Sequence, residues 1–311
     1  MQNGRSLNLL ISIVLFAAGT PGCKKQQVYQ SGAPGKSIMA GWEEFQMGEY
    51  ASAIDTFSAA KNSTPEDDPN HLQAIYGLGV TWNLRRPGQD NAKAREYYEE
   101  ILRLAPNDDL AAWSLLRLAR LKHLVGMGEV PDYPAVREAY QRVIDQFVFH
   151  PAGETAFLFA QATFITSMNR DETMAAEYNL RQFLKTHAET PFLRTALSLL
   201  ADCYLTLDRP RDQLNVEIQA IESLGKNLSS QNTPWLNSAP AYWRIATVAQ
   251  YRLGDIRTAR KYYDRLVTEY PRDQRSFGAE LAIKDIDAMV DEARSKLPPA
   301  SLGGSDNGKT P

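Results

Sequence analysis

Chemistry in this 311-residue chain would have to come from four histidines, two cysteines or a few clustered carboxylates. His71, His123, His150 and His187 lie far apart, and none has a second ligand three or four residues away. A metal site on one helix needs that spacing, so no metal is expected. Cys23 and Cys203 are too few for a disulfide framework or a cysteine-rich zinc site. Cys203 sits in the apolar stretch Leu199 to Leu205 and reads as a small buried residue rather than a nucleophile. The pairs Glu43-Glu44 and Glu99-Glu100 and the run Glu66-Asp67-Asp68 read as solvated charge on exposed helix faces and turns. A catalytic carboxylate pair needs burial to drive two pKa values apart, and nothing in these segments supplies it. Gly303 to Thr310 satisfies the phosphate-loop pattern G-x-x-x-x-G-K-[ST]. That loop works only between a strand and a helix N-terminus. Here Leu297-Pro298-Pro299 precede it and Pro311 alone follows, so the match is a coincidence and no nucleotide is expected. The chain reads as a non-enzyme with no catalytic residue and no cofactor.

The elements that would position any site are helical. Charged residues make up 23% of the chain, near the usual quarter, which rules out wholesale disorder. The net charge is −3, so there is no basic field and no nucleic-acid partner is expected. The first 22 residues carry one charge, Arg5, before the apolar run Leu9 to Ala18. Ten apolar residues suit a signal peptide and are too few to span a bilayer, which takes about 20. From Lys24 to Ser37 the chain is polar, holds Gly and Pro, and lacks helical periodicity. Fourteen such residues form a tether with an end-to-end distance of roughly 20 Å. Residues 295–311 read as a disordered tail.

Gly22-Cys23-Lys24 resembles the lipobox of bacterial lipoproteins, although Thr20 and Pro21 depart from its usual Leu and Ala or Ser. The resemblance implies cleavage before Cys23, lipid on that cysteine and, with Lys24 rather than Asp after it, passage to the outer membrane. Acyl chains would anchor the protein at about 0.8 kcal/mol per buried methylene. Cleavage near Ala18, leaving a soluble exported chain, is the alternative.

Between tether and tail, punctuation recurs. Prolines follow helical stretches at Pro65, Pro106, Pro151, Pro191 and Pro271, with gaps of 41, 45, 40 and 80. A fixed period near 40 marks a stacked repeat. His150 and His187 directly or closely precede two of these prolines, so both are expected at helix C-termini. Trp243, Ala246, Gly254, Ala259, Tyr263, Leu266 and Pro271 carry the spacing of the tetratricopeptide repeat, as do Gly41, Gly48, Tyr50, Ala53, Phe57, Ala60 and Pro65. Gly79, Ala94, Tyr98, Ile101 and Pro106 make a partial match, while segments 152–191 and 192–230 are degenerate. The spacing has a mechanical reason: a small residue lets the second helix cross close to the first, and the aromatic four residues on shares its face.

The chain thus resembles tetratricopeptide-repeat lipoproteins, a class that includes the lipoprotein of the outer-membrane barrel-assembly machinery and periplasmic adaptors. The resemblance implies an all-α, right-handed α-solenoid of about six helix pairs over residues 38–294. It further implies a non-catalytic scaffold that binds a protein or peptide in the cell envelope. Groove positions carried over by spacing are Ile38, Trp42 and Phe45, then Tyr76, Val80 and Asn83, then Arg244, Val248, Tyr251 and Arg252. Trp, Tyr and Arg are the usual interface anchors. Ile38 and Trp42 stand where chaperone-binding relatives carry Lys and Asn, which argues against capture of a chain terminus. An accessory role beside an envelope enzyme is the rival reading, and a buried titratable cluster in the groove would favour it.

Overall fold

The computed structural model describes residues 34–227 and 238–296. The leader, Cys23, most of the tether and residues 297–311 lie outside the described residues. All regular structure within them is helical: α1 (Pro34–Met47), α2 (Tyr50–Ser63), α3 (Pro69–Leu84), α4 (Asn91–Leu104), α5 (Asp109–His123), α6 (Tyr133–Gln146), α7 (Pro151–Thr166), α8 (Arg170–Thr186), α9 (Leu193–Thr206), α10 (Pro210–Asn227), α11 (Ala239–Thr247), α12 (Ile256–Glu269) and α13 (Ser276–Ser295). A π-helical turn, Val248–Arg252, continues α11. α1 thus begins at Pro34, inside the segment expected to be tether.

Among the described residues, consecutive helices pack as tetratricopeptide-like pairs within each unit, and α13 follows the last pair. The chain divides into two compact units within α5, between Leu115 and Leu116. In the first unit α1 packs on α2, α2 on α3 and α3 on α4. In the second, α7 packs on α6 and α8, α9 on α8 and α10, and α12 on α11 and α13.

Local chemistry sets the helix starts. Asp68, Asp90, Asp132, Asn169 and Asp255 each cap a helix by accepting bonds from backbone N–H groups one turn in. Such a cap is worth about 1 kcal/mol because those donors have no partner inside the helix. Pro69 and Pro151 open α3 and α7, where a missing N–H costs nothing. The expectation for His150 is corrected here. It caps the N-terminus of α7, its Nδ1 accepting from the Ala152 N–H at 3.0 Å. Pro151 therefore begins a repeat instead of ending one. His187 does follow the C-terminus of α8.

The turn inside each pair holds one left-handed residue: Gly48, Gly88, Gly128, Met168, Asp208 and Gly254, all with φ between 57° and 91°. Their spacing is 40, 40, 40, 40 and 46 residues. Glycine takes this conformation freely, whereas a side chain costs about 1 kcal/mol or more. Met168 and Asp208 accept that cost in the two segments where the sequence repeat fades.

Candidate functional site

In the first unit the predicted surface residues are largely committed to packing. Trp42, half-buried, lies edge-on to Phe45 at 5.8 Å and to Phe57 at 5.2 Å, and tilted against Tyr76 at 6.4 Å. Phe57 is fully buried, with Gly41 and Gly77 on its faces; a Cβ on either would stand 2.7 or 2.6 Å from the ring. Gly79 admits Tyr98 in the same way. Ile38 and Val80, expected in a groove, are buried core residues, as helix crossing at these glycines brings them under the neighbouring helix. Asn83 stands apart from the aromatic group and donates to Asn91 Oδ1 at 3.1 Å across the turn between α3 and α4.

In the second unit, Val248 is likewise buried. The π-helical turn inserts an extra residue and leaves Tyr251 73% exposed. Arg252, beside it, is ion-paired with Asp208 in the preceding turn. Arg244 donates through Nε to Glu217 Oε1 at 2.8 Å. Arg244 and Arg252 are therefore each held in an ion pair, while Tyr251 stands exposed.

Glu217 opens onto a polar cluster that spacing rules for the repeat did not single out. Arg194, Ser198 and Asp202 lie at i, i+4 and i+8 on α9, one stripe of a helix otherwise apolar. Gln213 and Glu217, an i, i+4 pair on α10, are 2% and 5% exposed. Gln213 Nε2 donates to the same Glu217 Oε1 at 3.0 Å. Glu217 Oε2 and Gln213 Oε1 have no hydrogen-bond partner. Arg194, Ser198, Glu217 and Arg244 line a cavity of about 30 Å³, closed below by Ala220 and Ile221. Among the described residues Arg194 makes no hydrogen bond or ion pair. Burial lowers the pKa of its guanidinium, and the like charge of Arg244 lowers it further. Burial pushes the Asp202 carboxyl up to about 6, against the opposing pull of Arg244. The signal that could have revealed the cluster was present: Arg194 and Asp202, opposite charges eight residues apart on one stripe of a largely apolar helix, are not a solvated face.

The remaining buried charge holds helices together. Arg137 donates to Thr163 Oγ1 at 2.9 Å and to both Glu172 oxygens at 2.8 and 2.7 Å, and lies 3.8 Å over the Phe164 ring. These bonds hold Glu172 at about 2. Arg209 grips Glu177 through two bonds of 3.0 and 2.9 Å. Every group in these clusters has its partner, so they are structural. Burial raises the Cys203 thiol to about 12, too high to form a thiolate near neutral pH. Among the described residues no group of three or more His, Cys, Asp or Glu could hold a metal ion, and no helix is long and apolar enough to cross a membrane.

Residues 240–273, a span that contains Trp243, Gly254 and Pro271, match the tetratricopeptide repeat family. No curated protein matches the chain in sequence. Among solved structures the chain is similar to PilW, a widely conserved type IV pilus biogenesis factor. The two are 15% identical, the match covers 80% of this chain and 99% of that one, and the TM-score is 0.52. It is also similar to a tetratricopeptide repeat protein from Parabacteroides merdae ATCC 43184, again 15% identical, covering 86% of this chain and 94% of that one, with a TM-score of 0.49. The fold is that of tetratricopeptide arrays, whose stacked helix pairs form surfaces for protein–protein interaction.

Proposed function

We propose that the chain is an exported, non-catalytic scaffold, lipidated at Cys23 and held at the outer membrane facing the periplasm, where its helix pairs bind a protein or peptide. The observation that carries the anchor is the ten-residue apolar run Leu9 to Ala18 ending shortly before Gly22-Cys23-Lys24. Partner binding rests on the tetratricopeptide repeat at residues 240–273 within a helix-pair fold. The buried cluster around Glu217 is the feature that a role beside an envelope enzyme would require. Its cavity of about 30 Å³ has room for one small functional group, not for a substrate.

The test compares intact mass and membrane fractionation of the full chain and Cys23→Ala, each followed by cross-linking in cells. Acyl mass and membrane association are expected in the first and absent in the second, with the same envelope protein captured by the native chain. A native chain recovered soluble and without lipid would remove the anchor and leave a diffusing adaptor.

A further inference from the structure

The cavity between α9, α10 and α11 is lined by a guanidinium that makes no hydrogen bond among the described residues and by a buried carboxylate whose second oxygen has no partner. Arg194 brings a half-buried guanidinium with no hydrogen bond among the described residues. Glu217, 5% exposed, brings Oε2 without a partner. Gln213 Oε1, also buried and unpartnered, belongs to the amide bonded to that same carboxylate. Leaving those two buried oxygens without a partner costs about 1–3 kcal/mol each. Arg194 does not close the gap by bonding Glu217 itself.

Arg244 is fixed by the bond from its Nε, which leaves its terminal nitrogens free to meet a ligand beside Arg194. The space is about 30 Å³, enough for roughly two waters, which is the size of one planar three-atom head group. Charge narrows the choice further. Arg194 and Arg244 are opposed by Glu217 and, at neutral pH, by an ionised Asp202, so the cluster is already balanced. A second carboxylate would face the open oxygen of Glu217. A neutral group that both donates and accepts meets no such repulsion.

We propose that this notch takes a side-chain carboxamide, an Asn or Gln of the bound partner, its oxygen accepting from Arg194 and Arg244 and its NH₂ donating to Glu217 Oε2. The proposal rests on the partner-binding reading above and gives that surface a chemical preference. Glu217 is the specificity determinant, because its unpaired oxygen favours NH₂ over O⁻ in a group of the same shape. Gln213 holds Glu217 in place and Ser198 borders the entrance.

The test is a titration of the full chain at neutral pH with three peptides capped as N-methylamides, so that none but the first carries a primary carboxamide: Ac-Gly-Gln-Gly-NHMe, Ac-Gly-Glu-Gly-NHMe and Ac-Gly-Gly-Gly-NHMe. The readout is the arginine Nε–Hε NMR signals, with the Arg194 signal assigned by its loss in Arg194→Met. The glutamine peptide is expected to shift the Arg194 and Arg244 signals saturably. The other two should bind about tenfold more weakly, the factor set by one net hydrogen bond of about 1.4 kcal/mol. Arg194→Met, which removes no bond of the fold, should weaken the glutamine peptide by a similar factor while the melting temperature holds. Glu217→Gln should abolish the preference for glutamine over glutamate. Equal or tighter binding of the glutamate peptide would overturn the carboxamide assignment in favour of an anion site. Equal binding of the glycine peptide would reduce it to backbone contact. Silence from all three peptides, with cross-linked partner capture intact, would remove the notch and leave the scaffold standing; loss of capture with the titration intact would do the reverse.

Discussion

The two units join their helices by different means. In the first, aromatic rings lie on glycines: Phe57 between Gly41 and Gly77, and Tyr98 on Gly79. Its buried polar groups are few and local, such as Thr64 Oγ1 donating to Ala60 O at 2.8 Å and His71 Nδ1 standing 3.1 Å from Thr64 O. In the second, charges reach across helices: Arg137 to Glu172, Arg209 to Glu177 and Arg244 to Glu217. Ring-on-glycine contact depends on shape and is indifferent to pH, and one ion pair, Lys61 with Glu100 at 2.8 Å, joins α2 to α4 beside it. The second kind is built from ionisable groups, and its network leaves Glu217 Oε2 without a partner on a cavity that Arg194 and Arg244 also line. A surface that recognises polar chemistry needs such incompletely paired groups, so the candidate site falls in the second unit.

Phe57→Ala tests the shape-based half most severely. A fully buried ring wedged on two glycines should cost about 3–5 kcal/mol, equally at pH 5 and pH 8, read by urea denaturation. A pH-dependent loss would mean that ring packing is not what holds this unit. Gly77→Ala should cost about 1–3 kcal/mol, since its Cβ would sit 2.6 Å from the same ring and force it aside.

The charge-based half should respond to pH with a sign set by each group. Asp202 titrates at about 6 in the fold and near 3.9 unfolded, so the fold binds the extra proton. Its contribution therefore weakens the protein as pH rises from about 4 to 6, with the full penalty above 6. Asp202→Asn should add on the order of 2 kcal/mol near pH 7.5, about 4–8 °C in melting temperature, and nothing near pH 4. A uniform shift at both pH values would deny the burial penalty.

Glu172 runs the other way. Held at about 2 by Arg137, it stabilises the fold above its unfolded value and loses that contribution as pH falls from about 4.5 to 2. Glu172→Gln should cost about 1 kcal/mol near neutral pH, because its one-third exposure lets solvent screen the pair, and nothing near pH 2. The smallest effect is expected at Met168, a non-glycine at φ 57°. Met168→Gly should stabilise by about 0.5–1 kcal/mol in thermal melts, and destabilisation would show that its side chain holds the turn through contacts worth more than the strain.

The repeat was legible where its anchors are conventional. Ala53 with Phe57 and Ala259 with Tyr263 are buried as their spacing required, at the two ends of the array. In the middle the same structural positions carry Val136 with Tyr140, and the turns carry Met168 and Asp208 where glycine stands elsewhere. Residues of similar volume or tolerable strain can fill one backbone position, so the architecture persists after the sequence signature fades.

Residue type and spacing alone determined the helical class, the period near 40 and the small-plus-aromatic packing code, because each is a local rule of one helix or one turn. They also hold the apolar run Leu9 to Ala18 and Gly22-Cys23-Lys24, outside the described residues, on which the proposal of export and anchoring rests. What only tertiary structure decided is which side chains are spent. Ile38, Val80 and Val248 pass into the core, Trp42 and Tyr76 into a shared aromatic contact, and Arg194 is left facing Glu217 across an open notch. Those outcomes depend on how three helices distant in sequence meet, and on whether each buried polar group finds a partner there, a balance that no spacing within a single helix records.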